Sequence, residues 1–461
     1  MTLAQKPRKG SCVVYVMSRD QRVDDNFALL LAQREALERR LPLVVLFVLR
    51  ERPGGRSREH FLFMLDGLEE VSRRLQELGI AWVLRQGSPS RTTLATLREL
   101  DAASVYLDFS PLRGSRARAE LLAREFEGST HVVDAHNVIP AWEVSDKQEV
   151  AAHTMRSKVH KLLGRYLEAP PRIVRHPYSL ADHLETLSFE QARDIVHGLP
   201  ACGIRIAHPP GEKAARRHLQ KFIDEKLEYY ALLRNDVGRD FQSDLSPWLH
   251  LGQISSLRVA LQVIEAVGRP PLLLERAKLA EHSGQPSAYD GMNALLEEMI
   301  VRKELSDNFC LHNPHYKSLQ GAPEWGRQTL EAHREDPREF TYSLQEWEEA
   351  RTHDRAWNAA QTQLRRVGKI HGYMRMYWAK KMLEWSRSPE EAVGRCVYLN
   401  DKYSVDGGDP NGYAGILWSI GGLHDHPWKE RPVFGKIRYM SAEGIRRKYD
   451  LDSYCKRWLG S

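Results

Sequence analysis

Residues 12–26 read Cys-Val-Val-Tyr-Val-Met-Ser-Arg-Asp-Gln-Arg-Val-Asp-Asp-Asn. A short β-branched run, Cys12–Met17, ends abruptly in a charged turn. Such a run reads as a buried strand at the start of a sheet. The turn is not the glycine-rich GxGxxG type, so the usual dinucleotide fingerprint is absent and NAD held in the usual way is not expected. Further runs of the same kind stand at Leu43–Leu49, Ala81–Leu84, Ser104–Phe109 and Thr130–Val138. Between them lie helical patterns. Phe61–Leu78 places Phe61, Leu65, Leu68, Val71, Leu75 and Leu78 on one face by spacings of three and four. Strand–helix–strand alternation over residues 1–140 predicts a doubly wound parallel α/β sheet with right-handed crossovers.

Working outward, residues 141–215 are punctuated by Pro170, Pro171, Pro177, Pro209 and Pro210 and read as an irregular interdomain connection. Residues 216–461 show helical periodicity and little strand-like alternation, which predicts an all-α second domain. The 461-residue chain is 42% hydrophobic and 28% charged, enough for a sizeable core. It holds no run of about 18 apolar residues, so no membrane-spanning helix is expected. The N-terminus is basic but lacks the apolar segment of a secretory signal. Five scattered cysteines with no CxxC pair read as reduced thiols. The net charge of +6 permits a polyanionic partner without demanding one. Basic clusters do gather late, at Arg365, Arg366 and Lys369, at Lys380 and Lys381, at Lys436 and Arg438, and at Arg446–Lys448.

Hydrolytic and metal chemistry find no support. There is no GxSxG, HExxH, P-loop or zinc spacing, and His424-Asp425-His426 lacks a third ligand at helical spacing, so no metal is expected. Three other segments stand out. In Gln242–Ser255, Ser246 can cap a helix whose first residue is Pro247, and the free N–H groups of such a start can receive a phosphate. In His371–Trp385, Trp378 and Trp385 are seven residues apart, about 10 Å along one face of a helix, and Trp357 lies 21 residues earlier on a neighbouring one. A buried aromatic stripe and a ladder for electrons both fit that spacing. Nine of the eleven tryptophans lie at or after Trp248, which concentrates such rings in the helical half. Asn400–Gly422 is glycine-rich and polar, then turns apolar at Ile416-Leu417-Trp418, as a pocket wall approached closely by backbone would.

Together these blocks, with Glu297–Phe309 (EEMIVRKELSDNF) and Phe434–Met440 (FGKIRYM), resemble the photolyase and cryptochrome family, in particular its class II cyclobutane pyrimidine dimer photolyases. The resemblance runs through nearly the whole chain. It implies a helical domain that holds FAD, reduced and anionic when active, with Ser243, Leu245 and Ser246 on its phosphates and Tyr230 and Asp409 as further contacts. It also implies an Arg375–Asp406 ion pair beside the flavin and Asn400 facing flavin N5, with Asn411 as a substitute for that amide. Trp378, Trp357 and Trp385 become the proximal, middle and distal members of a photoreduction chain. Glu298, Met376 and Trp418 would line the pocket for the dimer, with Glu298 bonding a pyrimidine. Arg302 stands where some members carry an aromatic residue and can pair with a phosphate instead. Arg438 would fill the gap left by the extruded dimer.

The implied activity is a light-dependent carbon–carbon lyase acting on duplex DNA, with the cofactor carrying the chemistry. The dimer must be flipped out to reach a buried flavin. The late basic clusters would hold phosphates. The main alternative is a cryptochrome-like photosensor; a flavin-free DNA-binding protein and repair of the other pyrimidine photoproduct are weaker. An antenna chromophore, a deazaflavin by family resemblance, is expected in the α/β domain. A monomer is assumed, and the reduced thiols place the expectation in the cytoplasm, on the nucleoid, or in a nucleus.

Overall fold

In a computed structural model, residues 1–51, 54–180, 184–274 and 284–460 are described. Six strands form one sheet: β1 Thr2–Ala4, β2 Cys12–Val16, β3 Leu43–Arg50, β4 Ala81–Gly87, β5 Ala102–Asp108 and β6 Ser129–Val133. Their order is β1-β6-β5-β2-β3-β4. All neighbours pair in parallel except β1, which runs antiparallel along β6 at the edge. β2 and β5 are buried at every position, as a sheet covered on both faces requires. The expected doubly wound sheet is therefore present. The edge strand β1 is an addition: three residues are too few to show a period of two. β6 stops at Val133, short of the expected Val138, because Asp134 turns the chain by accepting N–H bonds from His136, Asn137 and Ala141.

The connection after the sheet is more ordered than its prolines suggest. It carries helices Ala152–Tyr166 and Phe189–His197, whose buried residues Met155, Val159, Leu163, Ala192 and Val196 pack into the core below the sheet. Beyond it every named element is helical. One apolar cluster runs without a break from Val13, Tyr15 and Val45 of the sheet to Trp248, Val259 and Met292 of the helical half. A second cluster, centred on Trp357, Met374 and Trp378, belongs almost wholly to the later helices.

The charged turn after β2 joins the two halves. Asp108 at the end of β5 accepts from the backbone N–H groups of Ser18, Arg19 and Asp20 at 2.7, 2.8 and 3.1 Å. Arg19 then reaches across to Asp307 with a two-pronged pair at 2.8 and 3.0 Å. Arg22, fully buried, donates to Asp20 and to the carbonyl of Gly252. The segment that replaces the nucleotide-binding turn is thus a strap to the helical half.

Candidate flavin and lesion site

The helical half encloses two lobes with a common wall. The inner lobe, about 370 Å³, is lined by Tyr230, Ser243, Leu245, Ser246, Glu298 and Asp406, among others. The outer lobe, about 570 Å³, is lined by Arg302, Met376, Trp378, Asn400, Trp418 and Arg438. Arg375, Gly372, Asn411, Gly412 and Gly415 face both. Of the cofactor and lesion residues singled out in the sequence, only Trp357 and Trp385 line neither lobe; they stand behind Trp378.

Three helices build the common wall. Helix Gly372–Glu384 carries Arg375, Met376 and Trp378. Helix Pro389–Tyr403 ends just after Asn400. Helix Pro410–Gly421 starts at Asp409, whose side chain accepts from the Asn411 N–H. The glycines between the last two helices serve the chain itself rather than a ligand. A Cβ on Gly407 would lie 2.7 Å from the Asn400 carbonyl, and Gly408 has φ +80° against Arg56. Gly412 differs: a side chain there would press on the Asn400 amide at 3.0 Å, so its absence keeps that amide clear.

Arg375 and Asp406 form an ion pair at 3.3 Å, and Ser404 Oγ–H also donates to Asp406. Burial works against the Asp406 charge, but Arg375 and Ser404 hold its carboxyl below the usual carboxylate range. Burial likewise opposes ionisation of Asp409, yet the His250 hydrogen bond at 2.9 Å keeps it well below that range. Arg56 can only donate, so His250 Nε2 accepts from it at 3.0 Å and Nδ1–H serves Asp409. Asn400 donates to Asp401 at 3.1 Å, while Asn411 accepts from Ser306 at 3.1 Å.

Glu298 and Arg302 lie on a π-helical turn, Glu297–Arg302, between helices Ala288–Leu296 and Lys303–His312. Such wide turns are frequent at functional sites because the extra residue re-aims side chains. Here Glu298 faces the inner lobe, where Tyr230 Oη–H and Arg234 donate to it at 2.6 and 2.9 Å. Arg302 faces the outer lobe, half exposed, 3.5 Å from Glu297. Arg438 stands 6.0 Å from the Trp418 ring.

Two expectations need correction. Ser246 does not cap its helix: Leu245 holds the cap position, Ser246 is already helical, and the helix is only the five residues Ser246–His250. Lys380 and Lys381 are buried and unavailable to phosphates; Lys380 Nζ donates to the Ser419 carbonyl at 2.9 Å, and burial brings its ammonium down to about 7. The lysines are misread because of the helix face they occupy, which charge alone does not reveal, and Ser246 because the helix begins one residue earlier than Pro247 suggests. Residues missed altogether are His250, Arg56, His136 and Lys303. The last two come to the inner lobe from opposite halves of the chain, and no local pattern marks them.

An indole, an amide and a half-buried ion pair on one wall, with hydroxyls deeper in, fit a flavin with a phosphate tail. Similarity to known proteins agrees. The DNA photolyase family profile matches residues 13–175. A deoxyribodipyrimidine photo-lyase of Potorous tridactylus is 41% identical, with 97% of this chain and 81% of the relative covered. One of Oryza sativa subsp. japonica is 42% identical over 98% and 89%. The crystal structure of a bacterial class III photolyase from Agrobacterium tumefaciens shares the fold, with TM-score 0.73 at 19% identity, covering 98% and 87%. Fold and site together define a flavin-binding protein of the photolyase type. The chain belongs to the DNA photolyase family.

Proposed function

We propose that this chain repairs cyclobutane pyrimidine dimers in DNA under light, as a photolyase of class II. The observation that carries the reading is the common wall: Arg375 faces both lobes, and Asn400 and Trp378 line the outer lobe beside it. FAD bound in the inner lobe, in its reduced anionic form, supplies light-driven one-electron transfer. The protein binds, orients and shields. Ser243, Leu245 and Ser246 hold the phosphate tail, with Tyr230 and Asp409 fixing that wall. The Arg375 guanidinium, kept in place by Asp406, would favour negative charge on a flavin bound there. The Asn400 amide, left clear by the absent side chain at Gly412, would be free to turn and bond a bound flavin.

The outer lobe receives the flipped-out dimer. Met376 and Trp418 offer it apolar surface and Arg302 meets a backbone phosphate, whereas Glu298, expected from the sequence to bond a pyrimidine, faces the inner lobe, where Tyr230 and Arg234 donate to it. Arg438, carried between Trp418 and Trp428, enters the gap in the duplex. Trp378, Trp357 and Trp385 deliver electrons that restore the reduced cofactor. The cryptochrome-like reading is not favoured, since the relatives above, similar over nearly all of this chain, are named deoxyribodipyrimidine photo-lyases.

A separate cavity of about 240 Å³ opens beyond the ends of β2 and β3, lined by Met17, Phe47, Arg50, Phe61, Met64 and Arg118. Burial and the neighbouring Arg50 bring the Arg118 guanidinium down to about 10, a cationic environment for an anionic antenna chromophore such as a deazaflavin. The partner is duplex DNA, bound by a monomer in the nucleoid or nucleus. Among the described residues no helix is long and apolar enough to cross a membrane. The test is direct: the purified, reduced protein is given a thymine-dimer oligonucleotide in blue light and in darkness. Loss of dimers in light alone is expected; bound flavin without repair would return the photosensor reading.

A further inference from the structure

Trp378 and Trp357 stack with ring centroids 6.3 Å apart and planes 9° from parallel. Trp357 Nε1–H donates to the Trp378 carbonyl at 3.0 Å, which fixes the pair. The ring that meets Trp357 on its far side is Trp347, not Trp385. Its centroid is 4.6 Å from that of Trp357, with the planes inclined by 63°. Trp347 in turn stacks on Trp385 at 6.0 Å and 15°. We propose that Trp347 is a relay residue, so that the electron path to the flavin lobe is Trp385–Trp347–Trp357–Trp378. The inference rests on the photolyase reading above and adds a fourth ring to its ladder.

Electron transfer between rings slows steeply with the gap, so a ring in contact with both neighbours carries the traffic that a direct jump would otherwise have to make. Trp347 is fully buried, and its indole N–H has no hydrogen-bond partner among the described residues. Once oxidised, it has no base to take its proton, and the positive charge passes on rather than being trapped as a neutral radical. Trp385 lies closer to solvent, under the exposed ring of His353 at 4.6 Å. Lys381 stands 5.3 Å from the Trp385 ring, but Glu384 at 2.6 Å balances its charge. Each transfer oxidises one indole and reduces the next by one electron, with no bond made or broken. Trp378 gives the electron to the flavin site, and the deficit moves outward to Trp385. There an external thiol reductant supplies one electron and releases its proton to water.

A packing role for Trp347 is compatible with this geometry, because it anchors the short helix Leu344–Glu348, whose start is fixed by the Ser343–Glu346 capping box. The experiment must therefore read electron movement. Flavin-loaded full-length protein is excited with a short blue pulse and tryptophan radical absorbance is followed in time. In Trp347→Phe the first charge-separated pair forms at the unaltered rate, which shows that the flavin lobe is intact. The long-lived radical yield falls about tenfold, because the charge returns from Trp357. Trp385→Phe gives a yield between that of the unaltered chain and that of Trp347→Phe, since the charge then stops one ring short. Equal yields in Trp347→Phe and the unaltered chain, or a lower yield in Trp385→Phe than in Trp347→Phe, overturn the proposal. An unaltered chain that repairs dimers after chemical reduction but forms no tryptophan radical also overturns it, and leaves the repair reading standing.

Discussion

At the Arg375–Asp406 pair, a carboxylate that burial would neutralise stays charged because a guanidinium faces it at 3.3 Å. Removing one partner strands the other. Asp406→Asn leaves the guanidinium facing the inner lobe without its counter-charge. Arg375 is 29% exposed, so water softens the loss below that of a fully buried pair, to about 1–2 kcal/mol. The expected result is a lower urea midpoint together with fewer flavins per chain after gel filtration. An unchanged flavin content would sever the link between this pair and the cofactor. Both residues are legible in the sequence because each sits in a distinctive local block. His250 is not: its partners Arg56 and Asp409 lie 194 and 159 residues away, and nothing in SPWLHLG marks an imidazole that must accept from one and donate to the other.

Among the elements, helix Pro410–Gly421 shows how one side chain can serve two tasks. Asp409 caps the helix and also receives His250. Asp409→Asn keeps a good cap and loses the charge; Asp409→Ala loses both, at a further cost of about 1 kcal/mol. Because the folded carboxyl is held below its unfolded value, its contribution is present above the ordinary carboxylate range, begins to be lost as pH falls through it, and is gone only below the folded value. Thermal unfolding of the unaltered chain should therefore weaken more steeply between pH 5 and pH 2.5, about the window the unfolded carboxyl defines, than that of either variant. Parallel curves would assign the charge no role in stability. Ile416-Leu417-Trp418 is readable as a pocket wall, but the helix that carries it and its start inside a glycine-rich stretch are not, because the turn before it depends on close contacts with the Asn400 carbonyl and the Arg56 side chain. The π-helical turn Glu297–Arg302 is hidden for a related reason: EEMIVRKEL has ordinary helical periodicity, and the wider hydrogen bonding is imposed by what surrounds it. Lys380 and Lys381 mislead in the opposite direction, since a positive charge in a sequence suggests surface and these ammonium groups lie inside.

For the molecule as a whole, the sheet and the helical half share one apolar cluster and are tied by buried polar contacts through the Ser18–Asp25 turn. The alternation of strands and helices announces two architectures, but not that they are welded, because the weld is made of pairs such as Arg19–Asp307, 288 residues apart. Glu304 lies in that seam. Its Oε1 accepts from the Val138 N–H at 2.7 Å, while Oε2 is buried without a partner among the described residues. Burial pushes its carboxyl up to about 8, against the pull of Lys303. The folded chain therefore keeps a proton on Glu304 at pH values where the unfolded chain has lost it. Stability from this site is fully present below about pH 4.5, where both states are neutral, and falls as pH rises toward 8. Glu304→Gln is neutral throughout and avoids that decline. The two proteins should unfold alike in urea at pH 5, and the variant should be more stable by roughly 1–3 kcal/mol at pH 8.5. A gap that stays constant across this range would mean that Glu304 is not the titrating group. A gap that opens with pH would show that deprotonation of Glu304, next to Lys303 at the inner lobe, weakens the fold in alkali. Flavin release should then track the same curve in the unaltered chain and be delayed in Glu304→Gln.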